Sequence, residues 1–256
     1  MLEGGIFMKL NNVMSKLIAA LIALTCVFGC SGKKVDNGPV TKKVFAETIS
    51  TGLTERWKLT DSDKEKTQTK NDYKNYTNSE LKILKELEGR KFKDAKVKEL
   101  YDEYKSALEE QYKTVIKYWG TNDYDDEWTK TYNERAEVLY KINQYVKIKV
   151  DNKDNLEEVL NTGRETKNLD DISKSIQFKK VKDDCGMLTY RAQVKNITDR
   201  KYDNFCVEVA LLDDKGNVLD TESAYTENWV AGETHTFEIT TDKKPTTVQV
   251  RKVSSF

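Results

Sequence analysis

The sequence predicts an α+β protein with its helices and strands in separate domains: an N-terminal antiparallel helical bundle followed by a C-terminal all-β antiparallel sandwich. Between Thr41 and about Asn161 there is no proline, and apolar residues recur at helical spacing. After about Ser175 the apolar residues alternate with polar ones, and β-branched residues become frequent. Because the period of the pattern changes once, we expect two successive domains, each with its own core.

Four amphipathic helices account for the first domain. Their apolar stripes run over residues 45–57, 73–87, 97–119 and 128–146, and a shorter helical segment, 155–160, ends before Gly163. Thr41 is placed to cap the first helix, and Gly120 follows the third. Either Thr69 or Thr77 could cap the second helix, and we favour Thr69 because Tyr73 and Tyr76 continue the apolar stripe. Helices with one apolar face bury it by packing together, which indicates an up-and-down bundle.

Two kinds of residue stand out on these stripes. Arg135 lies on the apolar stripe of the fourth helix, which predicts an ion pair with an acidic residue of a neighbouring helix. The third helix carries a row of tyrosines, Tyr101, Tyr104, Tyr112 and Tyr118. They fit either core packing with the hydroxyl groups at the rim, which we favour, or an aromatic platform for a ligand.

The second domain follows a polar stretch. Residues 164–175 are polar and predict a linker. Short alternating runs then predict strands at 176–182, 187–195, 205–212, 218–225, 234–240 and 246–253. Residues 213–217 join two of these runs in a tight hairpin turn, with Gly216 supplying a positive φ. Folding 186–196 back on 205–212 would place Cys185 and Cys206 at opposite ends of a hairpin, which favours buried free thiols over a disulfide.

The N-terminal segment predicts export. Thirteen uncharged residues, 17–29, follow the basic residues Lys9 and Lys16, a length typical of a signal peptide and too short to span a bilayer. The segment ends in Val27-Phe28-Gly29-Cys30, which resembles the lipobox of bacterial lipoproteins and implies lipidation of Cys30. The alternative is an ordinary cleaved signal. Met8 is a more plausible start than Met1, because Glu3 puts an acid where the segment should be basic.

Composition excludes several classes of function. Lys plus Arg and Asp plus Glu each number 43, so no global field attracts nucleic acid. The single histidine, His235, and four cysteines without a Cys-x-x-Cys pair exclude histidine-based triads and most zinc sites. No nucleotide-binding or hydrolase motif is present. We therefore expect no catalytic residues, no metal and no cofactor, with His235 a partly buried strand residue.

The strand region resembles a known family. The residues that carry the likeness are Asn196-Ile197-Thr198, the run 205–213, Gly216-Asn217-Val218-Leu219 and Ala231-Gly232-Glu233-Thr234. They are similar to the FxLyD domain of surface proteins from Gram-positive bacteria, with Val209, Leu211 and Asp213 at the Phe, Leu and Asp of its name. Segments 45–61 and 128–135 look like the helical region that accompanies it in lipoproteins. The resemblance implies a surface lipoprotein with a β-sandwich and no catalytic residues.

The expected organisation is a signal peptide at 1–29, a lipidated tether at 30–40, a helical bundle at 41–163, a linker at 164–175 and an FxLyD-like sandwich at 176–256. The expected function is that of a non-catalytic interaction module, anchored to the outer face of the cytoplasmic membrane through Cys30. Its partners would be the lipid bilayer and an unidentified envelope protein or cell-wall component. Lys33, Lys34, Lys42 and Lys43 either hold the tether against anionic headgroups or keep it solvated. The alternative function is a solute-binding receptor for a transporter.

Overall fold

The computed structural model describes residues 38–255. Helices come first, followed by strands, as the sequence predicts, and the α+β arrangement is confirmed. The helices are α1 (Lys42–Ser62), α2 (Lys70–Leu84), α3 (Ala95–Tyr118), α4 (Tyr124–Val146) and α5 (Lys153–Ser175), with one turn of 3₁₀ helix, Lys85–Leu87, after α2. None of the helices in this part of the chain is both long enough and apolar enough to cross a membrane.

The predicted caps hold the helix ends. The Thr41 side chain accepts a hydrogen bond from the Val44 backbone N–H, which caps α1. At the start of α2, Thr69 and Asp72 form a reciprocal capping box. Gly120 takes a φ of 79° just after α3, a conformation that favours glycine. Local sequence signals therefore mark the starts of α1 and α2 and the end of α3, whereas the side chain of Asp123 at the start of α4 forms no capping hydrogen bond.

Each helix packs against the next along the chain, and α1 also touches α4. Their apolar stripes meet in one core, whose fully buried members include Phe45, Ile49, Leu100, Leu108 and Leu139. Connections of a few residues force α1 to α4 to alternate in direction. The start of α1, the loop 88–94 and the end of α4 consequently lie together, and this is called the tether end. The opposite end, with the loop 119–123, is called the far end.

Helix α5 corrects two predictions. The segment predicted to stop before Gly163, and the predicted linker at 164–175, are one continuous helix. Ion pairs four residues apart, Lys167 with Asp171 and Lys174 with Asp170, support its polar half. Gly163 does not end the helix; it is where α5 meets α4, and a Cβ there would lie 2.0 Å from the Ala136 carbonyl oxygen.

The strands are β1 (Lys179–Asp184), β2 (Met187–Lys195), β3 (Tyr202–Leu212), β4 (Val218–Trp229), β5 (Thr234–Thr241) and β6 (Thr247–Ser255). They form two antiparallel three-stranded sheets, in the orders β1-β2-β5 and β4-β3-β6. The predicted turn between β3 and β4 is confirmed: Asp213 accepts hydrogen bonds from the backbone of Lys215 and Asn217, and Gly216 has a φ of 80°.

The pairing of β2 with β3 in a hairpin is wrong, because the two strands belong to different sheets. Asn196 directs the chain from one sheet to the other. Its buried side chain donates hydrogen bonds to the carbonyl oxygens of Arg200 and Trp229, at 2.8 and 3.2 Å. This pattern closes the turn after β2 and ties it to the end of β4 in the opposite sheet.

The two sheets bury one face each in a second core. Phe205, Trp229 and Phe237 are its largest fully buried side chains, with ring centroids 4.9–5.9 Å apart. Helix α5 contributes to both cores, with Val159 in the first and Ile172 in the second. The described residues consequently fold as one compact unit.

Candidate functional site

The chain enters the bundle through a clamp at the tether end. The Val40 backbone N–H donates to the Lys91 carbonyl oxygen at 2.8 Å, and the Val40 carbonyl oxygen accepts from the Lys93 N–H at 3.0 Å. The Arg90 guanidinium donates twice to the Gly38 carbonyl oxygen, at 3.0 and 2.7 Å. Because Val40 itself is fully buried, the position of the chain just before α1 is fixed.

A groove of about 710 Å³ lies beside this clamp, between the start of α1 and the end of α4. Ala46, Tyr145 and Val146 provide apolar lining, and Ser50 and Thr51 provide hydroxyl groups. Four lysines also line it: Lys42, Lys43, Lys147 and Lys149. All four are exposed, and Glu47 is the only acidic residue of the lining. This surface, called the basic groove, therefore carries a local excess of positive charge.

The α1 lysines of the basic groove have partners. The Lys42 ammonium lies 3.8 Å from the centre of the Tyr145 ring and 3.5 Å from an Asp94 carboxylate oxygen. Contact with Tyr145, and to a smaller extent with Asp94, raises the pKa of Lys42. Asp94 also accepts a hydrogen bond from the Tyr145 hydroxyl and caps α3. Lys43 lies 3.9 Å from Glu47, a distant contact on the surface.

The other two lysines, Lys147 and Lys149, form no ion pair within residues 38–255. Lys147 ends α4 with a φ of 56°, an unusual conformation for a residue with a side chain. The Lys149 backbone N–H donates to the Ser50 hydroxyl at 3.3 Å, which ties the segment after α4 to α1. The backbone thus brings two uncompensated ammonium groups to the side of the groove opposite Lys42 and Lys43.

A second charged cluster lies inside the bundle. The buried Glu80 carboxylate accepts hydrogen bonds from Arg56 Nη1 at 2.9 Å, from Arg135 Nη2 at 2.7 Å and from the Tyr104 hydroxyl. Arg56 also donates to Gln111 Oε1 at 3.1 Å. Burial alone raises the pKa of Glu80, but the two guanidinium groups outweigh it and hold this pKa below its usual value. All five side chains are at most 5% exposed, so the cluster holds the helices together and offers no surface to a ligand.

The cluster settles two predictions about the helices. The predicted partner of Arg135 exists, and it is Glu80 on α2. The tyrosines do not form a platform, because Tyr101 and Tyr104 are buried and only Tyr112 and Tyr118 are half-buried. Core packing is therefore confirmed for the first two. A hydroxyl group at the rim is wrong for Tyr104, whose hydroxyl bonds to buried Glu80.

Half-buried aromatic rings gather at the far end. Tyr73 is at the centre, with Trp119 at 5.2 Å and Trp128 at 4.8 Å between ring centroids. Tyr124 joins them, 4.9 Å from Trp119. The ring pairs are edge-to-face, tilted or stacked, all of them arrangements of packed aromatic side chains, which accounts for the group as packing between helix ends. Residues 119–127 contain four acidic residues and no basic one, so this segment is acidic, although exposed lysines such as Lys117 and Lys130 flank it.

Several expected site residues have simple structural positions. His235 is half-buried on β5, its ring 4.9 Å from that of Phe237 and its Nδ1 3.3 Å from the Thr226 hydroxyl. Cys185 and Cys206 are free thiols, as favoured, but they are exposed and half-buried instead of buried. No group of His, Cys, Asp and Glu within residues 38–255 could hold a metal ion. Cys30, Lys33 and Lys34 lie outside the described residues.

The sequence pattern indicated only half of the basic groove. It singled out Lys42 and Lys43 but not Lys147 and Lys149, which lie about a hundred residues further along the chain. A signal was present in the alternation of Lys147, Ile148, Lys149 and Val150 just past the fourth helix, where Ile148 is buried and both lysines are exposed. That alternation indicates an extended segment against the bundle, but not which helix it packs on.

Comparison with known proteins adds little. No protein-family model matches the chain, and no curated protein matches it. Among solved structures, one described as "Structural characterization of IrmA from Escherichia coli" is similar to 30% of this chain and 71% of its own, with 16% identity and a TM-score of 0.26. A likeness of this size indicates neither a fold family nor a function for this chain.

Proposed function

We propose that the protein is an exported lipoprotein, held at the outer face of the cytoplasmic membrane by lipidated Cys30, that acts as a non-catalytic interaction module of the cell envelope. The observation that carries the proposal is that the clamp at Val40 and the basic groove lie at the same end of the bundle. The tether emerges from the clamp at Val40, and the basic groove lies directly beside it. A lipid anchor and a basic surface at the same end of a module can act on the membrane together.

The tether limits the distance between bundle and membrane. Ser31 to Val40 are ten residues, which span at most ~36 Å when fully extended. Helix α1 alone, with 21 residues, is about 31 Å long. The bundle is therefore confined to a layer about one helix length from the lipid. The sandwich, which we propose is FxLyD-like on the turn pattern of residues 196–234, would provide the surface for an envelope partner.

The order of elements supports an interaction module over the solute-binding receptor. A two-lobed receptor alternates strands and helices around a crevice. In residues 38–255, all helices precede all strands. The buried Arg56 and Arg135 guanidinium groups both bond to Glu80, which supports a structural use of these three residues over a catalytic one.

The anchoring part is tested by membrane fractionation of cells that express the full chain. Cys30→Ala should leave the membrane fraction, either as released protein or as unprocessed precursor. The matched control is Cys26→Ala, which changes a cysteine inside the signal segment and should fractionate like wild type. A Cys30→Ala variant that is processed and retained as wild type is would contradict the proposal.

The interaction part is tested by chemical cross-linking on intact cells, followed by purification of the wild-type chain. A cross-linked envelope protein or wall component that is absent from the Cys30→Ala sample would support it. Recovery of a small-molecule solute together with a transporter subunit would favour the receptor instead.

A further inference from the structure

We propose that the basic groove binds the phosphate groups of anionic phospholipids, so that the bundle lies with its tether end on the membrane surface. The proposal rests on the anchoring proposed above and adds to it a lipid class and a defined contact surface. The role predicted for the tether lysines follows from the sequence alone. The site proposed here also depends on Lys147 and Lys149, which the fold brings to the tether end.

Charge is the first reason for this assignment. Four lysines and one glutamate line the groove, and Lys147 and Lys149 have no carboxylate partner among residues 38–255. The first turn of α1 contains no acidic residue, and the positive end of the α1 dipole is offset by the negative end of α4 across the groove, so the positive charge comes from the lysines. An anion in the groove would meet two ammonium groups without first displacing an existing ion pair.

The lining is the second reason. Between the lysines lie the side chains of Ala46, Val146 and Tyr145, the last of them 36% exposed. An apolar strip bordered by lysines matches the boundary between headgroups and acyl chains, where tyrosine and lysine side chains are favoured. A soluble phosphate would use the lysines alone, while a lipid uses both the lysines and the apolar strip.

The position of the tether is the third reason. The chain leaves the bundle at Val40, two residues before Lys42, so the covalent anchor and the groove share one end of the bundle. Lys91 and Lys93, whose backbone groups hold Val40, are also exposed there. The tether itself does not suit the groove as an occupant, because residues 31–37 carry two lysines and one aspartate.

The test uses the processed chain 30–256 with Cys30→Ala, so that no lipid is attached and binding reports the protein surface alone. Its partitioning is measured by co-sedimentation with vesicles of phosphatidylglycerol and phosphatidylcholine, and with vesicles of phosphatidylcholine only. A lysine near an anionic surface contributes about five-fold to partitioning. We expect Lys147→Gln with Lys149→Gln to weaken binding to the anionic vesicles by about 25-fold.

The matched control is Lys117→Gln with Lys130→Gln, two exposed lysines towards the far end that lower the net charge equally. It should bind within about two-fold of the parent chain. Circular dichroism confirms that both variants fold.

Three outcomes overturn the proposal: equal binding to vesicles with and without phosphatidylglycerol, equal loss in both double variants, or binding to soluble polyphosphate without binding to anionic vesicles. The last would assign the groove to a soluble polyanion. Because the assay contains no lipidated protein, its result is independent of whether Cys30 is the anchor.

Discussion

The variant Glu80→Gln removes the buried carboxylate at the centre of the bundle. It tests whether the charged cluster around Glu80 stabilises the fold. Glu80 is 2% exposed and, among residues 38–255, is the only anionic partner of the Arg56 and Arg135 guanidinium groups. Glutamine preserves the shape but leaves two cations in the core without a counter-charge. Removing one partner of a buried ion pair costs about 3–5 kcal/mol, out of a total free energy of unfolding of about 5–15 kcal/mol for a typical domain.

The assay is urea unfolding followed by helical circular dichroism. We expect Glu80→Gln to lower the free energy of unfolding by about 3–5 kcal/mol. The matched control is Glu86→Gln, an exposed acid of the 3₁₀ turn after α2, which should change it by no more than about 0.5 kcal/mol. A triple variant, Arg56→Met, Glu80→Leu and Arg135→Met, removes all three charges together and should be more stable than Glu80→Gln alone.

The pH dependence of the same variant gives an independent check. The pKa of Glu80 is lower in the folded protein than in the unfolded chain, where glutamate titrates near about 4.3. Its contribution is therefore complete above that pH and is lost as the pH falls through the folded value. The difference in stability between wild type and Glu80→Gln should shrink between about pH 4.3 and more acidic conditions. A Glu80→Gln protein as stable as wild type at pH 7, or a difference that grows with acid, would refute this reasoning.

Two other predictions follow from close contacts and exposure. Gly163→Ala should lower the melting temperature markedly or prevent folding, because its methyl group would lie 2.0 Å from the Ala136 carbonyl oxygen. The control is Asn161→Ala, two residues away and exposed, and equal melting of the two variants would contradict the contact. In the folded, unlipidated chain, a thiol reagent should modify exposed Cys185 faster than half-buried Cys206. The two rates are measured separately in Cys206→Ser and Cys185→Ser. Equal rates, or no reaction before denaturation, would contradict the exposure of the two thiols.

The features predicted correctly from sequence are those decided by neighbouring residues. The stripe from Phe45 to Trp57, the cap at Thr69 and the turn at Gly216 each depend on a few residues along the chain, and each is present in the structure. The second half of α5 shows the limit of this approach. Its polar residues are typical of a linker, but ion pairs along the helix and the burial of Ile172 against the sandwich keep it helical.

Features that depend on distant residues were not predictable in this way. The pattern of β2 and β3 marks both as strands but does not say that Asn196 sends them to opposite sheets. The position of Arg135 on an apolar stripe predicts an acidic partner, but nothing local identifies Glu80, 55 residues away. The basic groove belongs to the same class, since it exists only because α4 ends beside the start of α1.

The two ends of the bundle differ in a way that bears on how the molecule could meet a partner. The tether end carries the clamp at Val40 and the basic groove, whereas the acidic segment 119–127 and the rings around Tyr73 lie at the far end. Helix α1 separates these ends by about 31 Å, several times the Debye length of about 8 Å in physiological salt. Each end therefore presents its own charge to its surroundings. An anionic surface attracts the lysines of the tether end, and the acidic segment 119–127 is kept away from that surface when the tether end faces it.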